Sequence, residues 1–228
     1  MRITWYSNAP WAGTGYGTQT AQAVSRLKHE HKVAILANYG LNGAPFTIDG
    51  VSILPTGTDT YSNDVLGQAH RLWLASGPEP EPGWIITLFD VHVLDPKPLE
   101  DLHVASWTPV DQRPVPPKVA DWARTHRTIA MSRFGQQMFA DQGIASDYVP
   151  HAIEPVFRPT PSTVRERLQI PEDREAILVL GRQHRHATGG HVVQLPAQSG
   201  WQQAERVAQG CRDGRRLKYS VLMAYRKD

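Results

Sequence analysis

Cysteine is nearly absent from this sequence, whose 228 residues include only Cys211. A single cysteine excludes a disulfide framework within the chain and is typical of a reducing compartment. Long apolar runs are lacking too, because no stretch of eighteen apolar residues occurs and the first residues have no signal-peptide core. We therefore expect a cytoplasmic protein without a transmembrane segment.

Neither sign of charge dominates the whole sequence, which has a formal net charge of +2. The distribution is nevertheless uneven. Residues 1–181 contain 15 basic and 19 acidic side chains, whereas residues 182–228 contain nine basic and three acidic ones. The acidic main body argues against a general nucleic-acid-binding surface. The basic tail is interpreted as a solvated terminus.

A loop with three glycines, Gly13, Gly15 and Gly17, follows the first apolar segment and precedes a helix-like one. Glycines at such a turn let the backbone approach a ligand, and the helix that follows favours an anion. A nucleoside-triphosphate loop also needs a lysine, and none lies between Gly13 and Arg26. The triphosphate loop is therefore excluded.

A dinucleotide-binding fingerprint fits this loop poorly. Its third glycine position is occupied by Thr18, and Asn38 and Tyr39 stand where an acidic residue is expected after the second strand. Two interpretations remain open. The loop either holds a phosphate or carboxylate, or its glycines are needed for packing alone.

Short apolar segments alternate with amphipathic ones along most of the chain, which is typical of a parallel sheet covered by helices. We predict an α/β fold with a doubly wound parallel sheet over residues 1–160. Ser132 and Gly143 are predicted to cap one of the helices. The predicted strands are 2–7, 32–38, 51–55, 84–89, 103–108, 127–132, 146–150 and 176–181, and the predicted helices are 18–29, 62–76, 116–126, 132–143 and 161–169.

Polar side chains follow five of the predicted strands. Since ligands of open parallel sheets bind beyond the carboxyl ends of the strands, these side chains are expected to converge at one edge. In chain order they are the glycine loop, Asp90 and His92, Asp111, Ser132 and Arg133, and His151 and Glu154.

Three segments carry a resemblance to a known family. They are WTPVDQRPVPP at 107–117, SRFGQQMFADQGI at 132–144 and YVPHAIEPVFRP at 148–159. In this order, after a glycine loop and a sheet, they resemble the N-terminal half of retaining glycosyltransferases with the GT-B fold, specifically glycosyltransferase family four. The likeness covers about residues 1–181, and Ala152 stands where the family usually has glycine.

The resemblance implies a hexosyltransferase-type enzyme with two Rossmann-like domains. Such an enzyme moves a sugar, with retention, from a nucleotide sugar such as a UDP- or GDP-sugar to an acceptor, and no metal or other cofactor is expected. The N-terminal half would chiefly bind the acceptor, while its glycine loop reaches the donor diphosphate. Groups that stabilise the leaving diphosphate would do most of the chemistry, so a pair of carboxylates is not required.

The same resemblance assigns roles to individual residues. His92 and Asp111 are the catalytic candidates. The residue types alone are equally consistent with structural roles. His92 and His151 would then be hydrogen-bonded loop histidines, Asp111 a turn-forming residue and Arg133 a solvent-exposed side chain. The substrate-binding candidates are Gly13, Thr14, Gly15, Tyr16, Gly17, Asp90, Ser132, Arg133 and His151.

The family pattern stops after the apolar segment AILVLG at 176–181. We therefore divide the chain into a Rossmann-like acceptor-side domain at 1–160, a linker with the first strand of a vestigial second domain at 161–181, and a basic tail at 182–228. The tail is expected to be poorly ordered or helical, and to form a short, incomplete C-terminal extension.

A truncated or frameshifted second half would leave the chain incomplete or inactive alone, so whether it is an enzyme stays open at this point. The expected partners are a nucleotide sugar, an acceptor, and a second chain or self-association that completes the cleft. Nucleic acid is not expected, except as modified DNA serving as the acceptor. The alternative is a non-catalytic module that binds a sugar or phosphate ligand.

Overall fold

The structure is a computed structural model of the chain, which divides into two compact units, Met1–Glu154 and Pro155–Asp228. The helix predicted at 161–169 falls mostly outside the described residues. Those residues are 1–40, 44–79, 81–159, single positions at 161, 163 and 166, and strands at 176–182, 201–212 and 215–226.

The first unit contains an eight-stranded sheet with helices between its strands. The strands are β1 (Arg2–Ser7), β2 (Lys32–Ala37), β3 (Phe46–Ile48), β4 (Val51–Leu54), β5 (Gly83–Leu88), β6 (Val104–Thr108), β7 (Arg127–Ala130) and β8 (Asp147–Tyr148). The helices are α1 (Gly15–Leu27), α2 (Leu66–Ala75), α3 (Pro117–Thr125) and α4 (Arg133–Ala140), and short 3-10 helices lie at Val91–Val93 and Lys97–Leu99. The α/β prediction is confirmed.

The strand order is β3-β4-β2-β1-β5-β6-β7-β8, and every neighbouring pair is parallel except β3 with β4. Without the edge strand β3, this is the order of a doubly wound α/β sheet. The chain runs outward from β1 in one direction and from β5 in the other. The carboxyl ends of these two neighbouring strands therefore form the topological switch point, where such sheets bind ligands.

Side chains alternate along each strand, so every strand contributes to both faces of the sheet, and helices pack on both faces. On one face, Trp5 of β1 belongs to a buried cluster with Val24 of α1. On the other face, Tyr6 belongs to a cluster with Trp122 of α3 and Phe139 of α4. The sheet is thus the middle of three layers, which leaves its carboxyl edge open to ligands.

Side-chain caps fix where α1 and α4 begin. The Gly17 amide donates to Thr14 Oγ1 at 3.0 Å, and the Gly135 amide donates to Ser132 Oγ at 2.9 Å. Gly143, which follows α4, has a φ of 68°, a left-handed conformation that glycine adopts without strain. The predicted N-cap at Ser132 is confirmed, the C-cap of α4 is Asp141 rather than the predicted Gly143, and the Thr14 cap was not predicted.

The second unit contains the strands β9 (Ala176–Arg182), β10 (Trp201–Arg212) and β11 (Arg215–Arg226). They form a three-stranded antiparallel sheet in the order β10-β11-β9. The segment of β9 was predicted as a strand, but the two long strands lie in the tail that was predicted to be poorly ordered or helical. The sequence carries a hairpin signal there, because Asp213-Gly214 separates the two segments and Leu217, Tyr219 and Val221 alternate with polar residues.

No helix among the described residues combines the length and the apolar character needed to cross a membrane.

Candidate functional site at the carboxyl edge of the sheet

The three glycines of the loop after β1 have different surroundings. A Cβ atom added to Gly17 would lie 2.4 Å from the Ala12 carbonyl oxygen and 2.8 Å from that of Ala9, so packing requires this glycine. A Cβ atom added to Gly13 or Gly15 would meet no atom within 4 Å. The packing interpretation therefore applies to Gly17, whereas the ligand-binding interpretation stays a prediction for Gly13 and Gly15. Gly17 is a packing residue, and the other two leave the backbone accessible.

The first turn of α1 offers backbone N–H groups at this accessible position. The first four amides of a helix have no partner within the helix. Thr14 accepts the Gly17 amide, and its hydroxyl also accepts from Asn8 Nδ2 at 2.9 Å. Among the described residues the amides of Gly15 and Tyr16 have no partner, so they can serve an outside acceptor, and the positive end of the helix dipole favours an anion there.

Tyr16 joins this loop to the segment that follows β5. Its hydroxyl donates to Asp90 Oδ2 at 3.1 Å. Burial, followed by the Asp90 and Asp111 carboxylates, raises the pKa of Tyr16 above its ordinary value. The phenol therefore stays protonated and keeps donating. The glycine loop and the segment that follows β5 thus contact each other at the switch point between β1 and β5.

A cavity of about 150 Å³ lies directly beside this contact. Asp90, His92 and Asp111 all line it, together with Thr108 at the end of β6. The Thr108 side chain is 1% exposed, yet its Oγ1 has no hydrogen-bond partner among the described residues. Thr87 Oγ1 is likewise buried without a partner among those residues, so this property does not by itself mark a ligand site. Thr108 was not predicted, although its place as the last residue of a predicted strand marks this same edge.

His151 is not among the residues that line this cavity. Its ring packs edge-on against Trp107, with the ring centroids 4.7 Å apart, and burial lowers the pKa of His151. The neutral form is therefore favoured near pH 7. Two bonds hold this segment, since Trp107 Nε1 donates to the Val149 carbonyl at 2.7 Å and Gln19 Nε2 donates to the Ala152 carbonyl at 3.0 Å.

Ser132 and Arg133 are not among the residues that line the cavity. The Ser132 hydroxyl is occupied by its helix cap. The Arg133 guanidinium lies 3.9 Å from the centre of the Tyr148 ring and donates to Gln136 Oε1 at 2.9 Å. These contacts account for both residues structurally, and their predicted substrate-binding roles stay predictions.

No family model matches this chain, and no curated protein sequence matches it either.

Proposed function

We propose that residues 1–160 form the acceptor-side half of a retaining glycosyltransferase of the GT-B type. In this proposal the glycine loop faces the diphosphate of a UDP- or GDP-sugar. One observation carries the proposal. The glycine loop has open space at Gly13 and Gly15, and the Tyr16–Asp90 hydrogen bond joins this loop to the segment after β5 at the switch point. The motif resemblance supports the same assignment from the sequence.

The donor side of the proposal rests on the start of α1. The Gly15 and Tyr16 amides would stabilise negative charge as it develops on the leaving diphosphate, which is a strong form of electrostatic catalysis. No side chain at Gly13 or Gly15 blocks the approach of a bulky phosphate. Most of the affinity for the nucleotide itself would come from a second half, in this polypeptide or in another.

The acceptor side rests on the small cavity at Asp90, His92, Thr108 and Asp111. In a same-face transfer, the acceptor oxygen bonds to the anomeric carbon as the bond from that carbon to the diphosphate oxygen breaks. The acceptor proton passes to the departing phosphate oxygen, so atoms and charge balance. Asp111 and His92 would orient the acceptor hydroxyl, and Asp90 would hold Tyr16 in place.

The proposal is tested by incubating the chain with an α-linked donor panel, such as UDP-glucose and GDP-mannose, and a mixture of alcohol acceptors. We expect slow turnover at most from the chain alone, and product formation should equal release of the nucleoside diphosphate. Proton NMR of the product should show the α configuration of the donor.

Two results would contradict parts of this proposal. An inverted product would exclude retaining transfer, whereas no turnover by the chain alone is also expected where another polypeptide supplies the second half. By calorimetry we expect UDP or GDP to bind with a roughly millimolar Kd. Nanomolar binding would contradict the assignment of nucleotide affinity to a second half.

A further inference from the structure

The loop that joins β4 to α2, residues 55–65, leaves the sheet at the edge where the candidate site lies. Strand β4 runs parallel to β2, and β2 runs parallel to β1, so this loop and the glycine loop both follow the carboxyl ends of their strands. Neither the sequence motifs nor the proposed reaction uses it. Its contacts with the segment after β5, which contains His92, connect it to the site.

One side chain of this loop, Asn63, bonds to two backbone groups of the segment after β5. Its Nδ2 donates to the Val93 carbonyl at 3.1 Å, and its Oδ1 accepts from the Asp95 amide at 2.8 Å. A backbone carbonyl only accepts and a backbone amide only donates, so these two partners fix the orientation of the side-chain amide. Asn63 thus pairs with this backbone as a neighbouring strand would.

Asn63 is held in turn by Asp59 of the same loop. Asp59 Oδ2 accepts from the backbone amide of Asn63 at 3.0 Å and from its Nδ2 at 3.1 Å. The two hydrogens of Nδ2 therefore have one partner each, Asp59 and Val93. A second carboxylate, that of Asp64, accepts from the amide and the hydroxyl of Thr58, both at 2.8 Å. These bonds order the loop around Asn63.

The residue before Asn63 has an unusual backbone conformation. Ser62 is 1% exposed and has a φ of 53°, a left-handed conformation that residues other than glycine seldom adopt. Such conformations persist only where the surrounding contacts impose them. Here the Val65 and Leu66 amides donate to the Ser62 carbonyl at 3.1 and 3.0 Å. Packing and hydrogen bonding, rather than local preference, therefore set the direction in which Asn63 leaves the loop.

The segment that contains His92 is fixed at both ends by different loops. At its start, Asp90 accepts from the Tyr16 hydroxyl of the glycine loop at 3.1 Å. At its end, Asn63 binds the two backbone groups just described. Between these points Val91 is 1% exposed and anchors the turn in the core, whereas His92 is exposed. The position of the histidine therefore follows that of its backbone.

We propose that Asn63 is a positioning residue for His92. By binding the backbone just beyond the histidine, it keeps His92 in the wall of the cavity that Asp90 and Asp111 also line. This inference rests on the proposed function only in taking His92 as a group that orients the acceptor hydroxyl. It adds to that function a residue that acts only through the backbone of another loop.

The positioning itself is tested without any substrate, by ¹⁵N relaxation of the labelled chain. In the unsubstituted protein we expect the His92 amide to have an order parameter of about 0.85, as in rigid backbone. Asn63→Ala removes both bonds to the segment and should lower this value below about 0.6, as in flexible backbone. The matched control is Gln142→Ala, which also removes a side-chain amide bond of 3.1 Å to a backbone carbonyl, that of Val115. It should leave the His92 value unchanged.

Sugar transfer distinguishes positioning of His92 from a general structural role. Asn63→Ala should lower kcat about tenfold, because a displaced His92 no longer orients the acceptor, and should leave the KM for the nucleotide sugar unchanged. The double variant with His92→Ala should be no slower than His92→Ala alone, since one residue acts through the other. A double variant whose loss equals the product of the two single losses would overturn the inference.

An order parameter at His92 that stays near 0.85 in Asn63→Ala, or an equal decrease in Gln142→Ala, would also overturn it. If the order parameter decreases as expected but UDP-glucose and GDP-mannose leave the Gly15 amide signal unmoved, the positioning of His92 stands and the proposed function fails. If sugar is transferred with retention while the order parameter does not change, the reverse holds.

Discussion

At the scale of the residue, the glycine loop combines two physical requirements. Gly17 has carbonyl oxygens of the preceding loop too close for any side chain, whereas Gly13 and Gly15 face open space. A sequence motif treats these glycines alike, because it records only the residue type. The glycines themselves could be predicted from the sequence, but the difference between them depends on where the loop carbonyls lie.

This difference leads to opposite expectations for alanine substitutions. Gly17→Ala should lower the free energy of unfolding by about 1–3 kcal/mol, because the neighbouring backbone has to move. Gly13→Ala and Gly15→Ala should change it by less than about 0.5 kcal/mol, since the added methyl group has room. Urea unfolding followed by circular dichroism measures all three, and equal losses at the three positions would refute this division.

Residues without a strong local pattern were the hardest to predict. In the sequence Thr108 looks like an ordinary strand residue. The structure distinguishes it because it lines a cavity and its buried hydroxyl has no partner in the part of the chain that the structure describes. Asp90, His92 and Asp111 were recognisable because each follows a strand, and the structure brings them to one cavity. Ser132 and Arg133 also follow a strand, but a helix cap and ring stacking account for their contacts.

At the scale of the element, long and buried segments were predicted from the sequence, whereas a short and exposed one was missed. The long apolar strands of the parallel sheet were predicted because burial on both faces gives them continuous apolar runs. The edge strand β3 was missed, since it has three residues, all exposed. Asp49 and Gly50, with φ values of 49° and 77°, form the turn that returns it to β4.

The attachment of α2 to the sheet makes stability dependent on pH. His70 of this helix is 1% exposed and bonds through Nδ1 to Thr4 Oγ1 of β1 at 2.8 Å. Burial, together with the Arg71 and His103 charges, lowers the pKa of His70 to about 4. The unfolded chain therefore binds a proton between about pH 6.5 and pH 4 that the folded chain does not bind.

We accordingly expect the free energy of unfolding to decrease as the pH falls from about 6.5 to 4, with His70 contributing at most about 3 kcal/mol to that decrease. His70→Gln should reduce this slope in urea titrations at several pH values. The matched control is His29→Gln at an exposed position, which should leave the slope unchanged. An unaltered slope in His70→Gln would show that other groups cause the acid sensitivity.

At the scale of the whole molecule, the strand order is what turns scattered polar residues into a candidate site. The alternation of strands and helices predicts a parallel sheet but does not say which strands are neighbours. Because β1 and β5 are adjacent in the sheet although far apart in the sequence, the glycine loop and Asp90 meet. That adjacency depends on packing across the whole unit, and local patterns do not specify it.

The most direct test of the proposed sugar-transfer role is whether the glycine loop contacts a diphosphate. In ¹⁵N-labelled protein titrated with UDP-glucose, GDP-mannose and inorganic pyrophosphate, we predict that the Gly13, Gly15 and Tyr16 amide signals shift. Uridine should leave these signals unmoved, and Gly15→Val should abolish the response. Amide signals in the loop that stay unmoved with all three diphosphates, or shifts that persist in Gly15→Val, would contradict the role proposed for this site.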